Sequence, residues 1–342
     1  MDDQQSVTPH QTFELGPFEF SDGTVLPNAQ IAYTTYGELS EGRDNVIVFP
    51  TFFTSTHSAH EWLVGPGEPL DTDRYFVVIP SLFGNGLSSS PSNTPAPFDR
   101  GRFPRVDMRD NVRAQQRLLT ERFGVRKIEL VIGGSMGALA TFQWALSAPD
   151  LVQRIMPMCG AAKTSEHTYA FTWGVRAALE ADAAWAAGDY DAPPLVGLKA
   201  LGRVYAGWGV SQAFYRERRY REMEHETVDG FISDFWEAFF ASLDANNLIS
   251  QLKTWQSADL SRTPGYDGDL GRALGRIRAK AFLVPAQKDL YFPPEDSVWE
   301  AEQMANAEVR VIPGVWGHVS GMGIDPACSD FIRQTARELL AR

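Results

Sequence analysis

Short apolar runs recur along the chain, and most are followed by a stretch whose apolar residues are spaced as in a helix. The apolar runs lie at 45–50, 75–81, 128–132, 154–159, 280–285 and 308–313. Nearly continuous apolar runs of this length are typical of strands buried on both faces of a parallel sheet. Helical spacing lies at 110–122, 136–147, 296–305 and 326–341. This alternation predicts an α/β fold with a mostly parallel, doubly wound sheet.

Two further regions depart from this alternation. Near the start, alternating runs at 13–20 and 29–36 flank the turn-like residues 21–23, which predicts an antiparallel hairpin at the sheet edge. Between residues 163 and 276 the strand pattern stops and helical stretches rich in Ala, Arg, Glu and aromatic residues take its place. We therefore expect a helical cap at 163–276, inserted into an α/β core formed by 1–162 and 277–342. The aromatic residues of the cap could line a substrate pocket or simply pack between its helices, and the sequence leaves both interpretations open.

Composition excludes several classes of function. The 342 residues are 44% hydrophobic, which suffices for one large domain or for one domain with an insertion. A net charge of −12 opposes binding to nucleic acid or to an anionic membrane surface. No apolar run approaches the ~18 residues of a membrane span. The acidic, polar start lacks the features of a secretion signal, which predicts a cytoplasmic protein.

A candidate nucleophile lies directly after the apolar run at 128–132. Residues 133–137 read Gly-Gly-Ser-Met-Gly, a G-x-S-x-G motif between a predicted strand and a predicted helix. In that context the serine occupies a sharp turn that holds its hydroxyl above the sheet. Ser135 is therefore the predicted nucleophile of an α/β-hydrolase fold, although a glycine-rich turn with an incidental serine has the same pattern.

A serine needs a histidine to take its proton and a carboxylate to orient that histidine. In this fold the acid and then the histidine follow the serine along the chain. Asp289 follows the apolar run at 280–285, and His318 follows the last run at 308–313. Asp296 or Glu295 would replace Asp289 only if its loop ran longer. The predicted triad is Ser135, Asp289 and His318.

The loop after the first parallel strand is expected to lie beside the nucleophile. Its Phe53 N–H and the Met136 N–H are the predicted oxyanion hole. His57 and His60, on the same loop, have a spacing that suits a metal, but no third ligand is evident, so they are expected to shape the pocket or cap a helix. Cys159 and Cys328 lack the spacing of a metal or disulfide site, and no metal or cofactor is predicted.

Three stretches of the sequence resemble the homoserine O-acetyltransferase family of the α/β-hydrolase superfamily. These are 65–76 (GPGEPLDTDRYF), 109–115 (RDNVRAQ) and 132–137 (IGGSMG), within a similarity that spans about 18–260 and resumes around the acid and the histidine. The resemblance implies the same fold and an acyl-enzyme chemistry. It also implies a homodimer with contacts through the cap.

This chain departs from the family's pattern at the expected substrate site. Members with homoserine activity carry an Asp directly after the histidine, implied to hold the substrate amine, whereas this chain has Val319. The family's loop after its fourth strand is also changed, at 82–91. Arg176 falls where the resemblance implies an arginine for the substrate carboxylate, and a solvated ion pair is the other interpretation of this residue. We also expect Trp173 and His57 to contact substrate.

Two functions remain open from the sequence, and they share the acyl-enzyme on Ser135. The first is hydrolysis of a carboxylic ester or lactone with an apolar body, favoured by Val319. The second is transfer of an acetyl or acyl group from acyl-CoA to an alcohol. They differ in the final acceptor, which depends on whether the pocket admits water or an alcohol. A non-catalytic binding protein would have to keep all three triad residues without using them.

Overall fold

The computed structural model describes residues 9–342. The acidic start at residues 1–5, from which a cytoplasmic location is predicted, lies outside these described residues. Within them, the main sheet has eight strands in the order β1-β2-β4-β3-β5-β6-β7-β8. The strands are β1 (Gln11–Glu19), β2 (Val25–Tyr36), β3 (Val46–Val48), β4 (Phe76–Pro80), β5 (Ile128–Gly134), β6 (Arg154–Met158), β7 (Lys280–Leu283) and β8 (Ala307–Val309).

The predicted fold class is confirmed. Strands β3 to β8 pair in parallel, while β1 and β2 form the expected antiparallel hairpin at one edge. Strand β2 joins the rest by an antiparallel pairing with β4. The central strands β3 and β4 are buried throughout, because helices cover both faces of the sheet. Strand β8 is shorter than predicted: it lies at the sheet edge, and Ile312 adds only an isolated bridge to Ala286.

The α-helices surround this sheet and extend beyond it. They are α1 (Met108–Arg117), α2 (Met136–Ser147), α3 (Glu166–Glu180), α4 (Leu195–Gly209), α5 (Gln212–Arg216), α6 (Val228–Gly230), α7 (Ala238–Ala241), α8 (Ala245–Ser257), α9 (Leu270–Leu274), α10 (Pro294–Glu302) and α11 (Pro326–Ala341). Helix α1 continues as a π-helical turn over Leu118–Arg122, which accounts for the longer helix predicted there.

The chain between β6 and β7 is helical, and we call helices α3 to α9 the cap. Helix α4 packs against α3 and against α7, and the buried residues of the cap belong to the same hydrophobic cluster as those of the sheet. Its buried aromatic residues include Trp236 and Phe240, so packing accounts for much of the aromatic content predicted here. No helix within residues 9–342 is long and apolar enough to cross a bilayer. The cap lies next to the loops at the carboxyl ends of the parallel strands.

Candidate active site

Ser135 lies at the turn between β5 and α2, as the motif predicts. Its backbone has φ 53° and ψ −121°, a conformation that L-residues rarely adopt and that is found at strained functional turns. The Ser135 N–H donates to the carbonyl of Met158 at 2.9 Å, which ties the turn to strand β6. The strain is therefore held in place by the sheet. The turn places Ser135 at the amino end of the twelve-residue helix α2, where the helix dipole favours negative charge.

The two outer glycines of the motif are required by close backbone contacts. A Cβ on Gly133 would lie 2.2 Å from the carbonyl oxygen of Gly137. One on Gly137 would lie 2.7 Å from the carbonyl oxygen of Pro50, at the end of the segment containing β3. Neither contact leaves room for a methyl group, because backbone atoms rather than a flexible side chain are in the way. The glycines thus bring the loop after β3 against the start of α2.

His318 connects the serine to a carboxylate. Its Nδ1 lies 2.7 Å from Oδ2 of Asp289, and its Nε2 lies 2.9 Å from Oγ of Ser135. A carboxylate oxygen only accepts, so Nδ1 carries the hydrogen and Nε2 presents its lone pair to the serine hydroxyl. All three residues are buried. The structure brings the three predicted residues together in the geometry by which a histidine can take the proton of a serine.

The carboxylate of Asp289 is held by its own loop. Its Oδ1 accepts the backbone N–H groups of Tyr291 at 2.8 Å and Phe292 at 3.2 Å. These bonds leave Oδ2 directed at His318. The alternative acids lie elsewhere: Asp296 and Glu295 belong to the first turn of α10, in the usual place for acidic residues at a helix start.

The loop that carries His318 is fixed by the cap. Gly317 has φ 65°, and a Cβ there would lie 2.8 Å from the backbone nitrogen of Ser211. The Ser211 hydroxyl donates to the carbonyl of Val315 at 2.5 Å. The position of His318 therefore depends on the segment between α4 and α5 as well as on the core.

Aromatic side chains enclose the triad on the cap side. The Tyr291 ring meets the His318 imidazole edge to face, with centroids 4.7 Å apart. Tyr205, from α4, lies 5.9 Å from Tyr291 and 5.9 Å from Phe53, between centroids. Burial raises the pKa of Tyr205 and of Tyr291 well above its ordinary value, so both hydroxyls stay neutral. The wall that these rings form around the triad is aromatic and uncharged.

The predicted oxyanion donors have free N–H groups. The N–H groups on either side of Phe53 are used, since Phe52 donates to Ser55 Oγ and Thr54 donates to Gln251 Oε1. The Phe53 N–H has no acceptor among the described residues. The Met136 N–H is the first of α2, where a helix supplies no acceptor of its own.

His57 and His60 lie in a 3₁₀ segment, His57–Leu63, and both are buried. His60 packs 4.4 Å from the Phe49 ring, and burial lowers its pKa to about 4, so it is neutral near pH 7. Across residues 9–342, no cluster of three or more His, Cys, Asp or Glu side chains is placed to hold a metal. A role for His57 in substrate contact stays a prediction.

The structure does not bring Trp173 and Arg176 to the triad. Both lie on α3, where the Arg176 guanidinium stacks over the Trp173 ring at 5.4 Å and donates to Gln256 at 2.9 Å. Gln256 is on the outer face of α8. The neighbouring Trp255 is fully buried and stacks on Phe292, next to His318. Helix α8 thus separates this pair from the histidine, and their contact with substrate stays a prediction.

Several residues at the site were not identified from the sequence. Tyr291 and Phe292 supply backbone N–H groups to Asp289, but every residue except proline has such a group, so the sequence carried no signal for these two bonds. Tyr205 had no local signal either, since it reaches the site from the cap. Its position depends on long-range packing that periodicity does not encode.

Comparison with known proteins agrees with this geometry. Residues 44–322 match the family model described as alpha/beta hydrolase fold. This chain belongs to the α/β-hydrolase family. An ethyl acetate hydrolase of Pseudomonas veronii is 35% identical over 341 residues, covering 99% of this chain and 97% of that protein. The crystal structure of an acetylester hydrolase from Corynebacterium glutamicum superposes with a TM-score of 0.95 at 34% identity, covering 98% of this chain and 96% of that one.

The resemblance noted in the sequence is also confirmed. A homoserine O-acetyltransferase of Trichormus variabilis is 28% identical over 317 residues, covering 88% of this chain and 86% of that protein. Relatives named as hydrolases thus share more of this sequence than this relative named as a transferase.

Proposed function

We propose that this α/β-hydrolase family member cleaves a small carboxylic ester through an acyl-enzyme on Ser135, with Asp289 and His318 completing its triad. The observation that carries the proposal is the pair of hydrogen bonds made by His318, to Ser135 and to Asp289. A lactone is chemically an internal ester, so the same site would open one.

The reaction follows from the hydrogen-bond directions. Ser135 Oγ attacks the ester carbonyl while His318 Nε2 takes its proton, and Asp289 stabilises the resulting imidazolium. The N–H groups of Phe53 and Met136 then donate to the oxyanion of the tetrahedral intermediate, a contribution of about 10²–10³ in kcat per donor. His318 returns the proton to the departing alcohol. Water, activated by the same nitrogen, releases the acid, and no cofactor is required.

Hydrolysis is favoured over transfer to homoserine by the residue after the histidine. Val319 is buried and apolar, so it offers no partner to a substrate ammonium. The hydrolase names of the 35%-identical relative and of the superposed structure support the same choice. Those names, together with the large rings of Tyr205 and Tyr291 at the triad, favour a short acyl group such as acetyl. Acyl transfer remains the second candidate because the homoserine O-acetyltransferase relative covers most of the chain.

The experiment is intact-protein mass spectrometry after brief mixing with p-nitrophenyl acetate, a small lactone or acetyl-CoA, alongside steady-state hydrolysis. Wild-type protein should turn over the acetate ester, and Ser135→Ala should lose both the turnover and any acetyl adduct. A Ser135-dependent adduct formed from acetyl-CoA that persists until an alcohol is added would overturn hydrolysis and establish the transferase.

We further propose that residues 163–276 act as a structural unit covering the triad and that the protein forms a homodimer through it. Leu195 and Val196, on the outer side of α4, are 50% and 76% exposed, which suits such a contact. Sedimentation of wild type and Val196→Glu tests it, since the charge should yield monomers. The cytoplasmic location stays a prediction.

A further inference from the structure

A cleft of about 840 Å³ lies on the outer side of α8, away from the triad. Its walls come from α3, from the exposed face of α8 and from the loop around residues 100–106. None of Ser135, Asp289 and His318 lines it. The proposed ester hydrolysis does not involve this cleft, whose volume is within the range of small-molecule sites.

The cleft is basic, although the protein is acidic. Its lining includes six basic side chains and only three acidic ones, in a chain whose net charge is −12. The basic residues are Arg100, Arg105, Lys163, Arg176, Lys253 and Arg262. Arg100, Lys163 and Arg176 are in ion pairs with carboxylates, but the cleft keeps an excess of positive charge, which attracts anions.

Part of this positive charge lacks a counterion. Lys253 is partly buried on α8, and no carboxylate among residues 9–342 lies within ion-pair distance of its ammonium group. Burial lowers the pKa of Lys253, and the positive charges of Arg176 and Arg105 lower it further, while the Glu180 carboxylate, which pairs with Arg176, opposes this shift. The Arg105 side chain likewise has no ion pair within the described chain, and the buried Nε of Arg176 has no acceptor. An anion at Lys253 and Arg105 would gain charge-assisted hydrogen bonds from two cations that have no carboxylate partner in the part of the chain that the structure describes.

The same cleft presents exposed aromatic faces. Tyr169 and Trp173, one helical turn apart on α3, are 48% and 56% exposed and lie nearly parallel, 13° apart with centroids separated by 6.3 Å. Large exposed rings of this kind are enriched where ligands bind. Stacking of Arg176 on Trp173 places positive charge beside that surface.

We propose that this cleft binds a small organic anion, with a carboxylate or phosphate group at Lys253 and Arg105 and a flat, π-rich body against Trp173. The ammonium and guanidinium groups supply charge-assisted hydrogen bonds to the oxyanion. The ring supplies a surface for stacking. Helix α8 places the ligand on the side opposite to Trp255, so this site is separate from the acyl-enzyme chamber and does not depend on the proposed ester hydrolysis.

The test is calorimetric titration of the full-length protein with 1-naphthoate, 1-naphthyl phosphate and the neutral 1-naphthamide. We expect an anion to bind one-to-one, at least about tenfold more tightly than the amide, because the amide lacks the charge that the cleft complements. The naphthoate and naphthyl phosphate arms distinguish a carboxylate from a phosphate ligand. Binding should weaken as salt is added.

Matched variants locate the ligand. Lys253→Met keeps the aliphatic stem and should weaken anion binding about tenfold, a typical effect of one lost charge-assisted bond. Lys199→Met, on the exposed side of α4, should leave it unchanged, and Ser135→Ala should bind like wild type. Unaltered binding in Lys253→Met, equal affinity for amide and anions, or no binding at all would overturn the proposal. So would competition with the ester substrate that persists in Lys253→Met, since it would place the anion at the triad.

Discussion

Tyr291 contacts both His318 and Asp289: its ring packs edge to face on the His318 imidazole, and its backbone N–H donates to the Asp289 carboxylate. One residue therefore fixes the plane of the imidazole and the orientation of the carboxylate. Its hydroxyl is buried and has no hydrogen-bond partner in the described structure. The ring and the hydroxyl thus have separable effects.

Two substitutions of Tyr291 test whether its ring and its hydroxyl have separate effects. Tyr291→Phe keeps the ring and removes an unsatisfied hydroxyl, so the free energy of unfolding should rise by about 1 kcal/mol with activity retained. Tyr291→Ala should lower kcat about 10-fold or more, because a loosened imidazole misplaces the base. Thermal melts and acetate-ester kinetics check both. A Tyr291→Phe variant with a raised KM would instead mean that the hydroxyl binds substrate.

Asp289→Asn should lower kcat by about 10⁴-fold, because an amide no longer holds the histidine with its hydrogen on Nδ1. The measurement is steady-state hydrolysis of a short acyl ester, with circular dichroism to show that the fold is retained. Asp296→Asn is the matched control, since Asp296 lies at the start of α10 and should change kcat less than twofold. Equal losses in the two variants would contradict the assignment of the acid.

Gly137→Ala should destabilise the protein and abolish activity, because the new methyl would lie 2.7 Å from the Pro50 carbonyl oxygen. The expected loss is about 3 kcal/mol in the free energy of unfolding, measured by urea denaturation. Gly174→Ala, on α3, has no atom within 4 Å of the added methyl. That control should be neutral or stabilising by up to about 1 kcal/mol.

Glu300 makes stability depend on pH. It is buried on α10 with Oε1 accepting the Ala162 N–H at 2.6 Å, and burial raises its pKa from 4.5 to about 8. Between these values the unfolded chain loses the proton while the folded chain keeps it. The free energy of unfolding therefore falls as pH rises, by up to about 1.4 kcal/mol per pH unit. Below pH 4.5 both states hold the proton and the effect vanishes.

Glu300→Gln removes this titration and retains an acceptor for Ala162. Melting temperatures should be measured from pH 5 to pH 8. The melting temperature of the variant relative to that of the wild type should rise steadily with pH. The exposed Glu302→Gln is the control and should follow the wild type at every pH. A constant difference between Glu300→Gln and wild type across this range would show that the carboxyl does not titrate there.

The triad could be predicted because each member follows a strand, and the order of these strands is visible in the chain. Ser135 also lies between glycines that the backbone geometry of the turn requires. The loop of Phe53 was predictable for the same reason, since the carboxyl ends of parallel strands meet at one edge.

The cap was harder to interpret from the sequence. Its helical character followed from the absence of strand patterns, but periodicity does not tell which face of a helix meets which neighbour. Trp173 and Tyr205 are both aromatic residues on cap helices, yet one borders an outer cleft and the other adjoins Tyr291. That difference arises from packing between residues distant in sequence. Only the assembled structure separates them.

The contact of Ser211 and Val210 with the loop of His318 limits how related enzymes can be recombined. A cap grafted from a relative as a cassette would bring a new 210–211 segment against an old 315–317 loop, and the base would shift with it. Chimeras should therefore exchange these two segments together, since Ser211 and Val315 are in contact although they lie 104 positions apart in the chain.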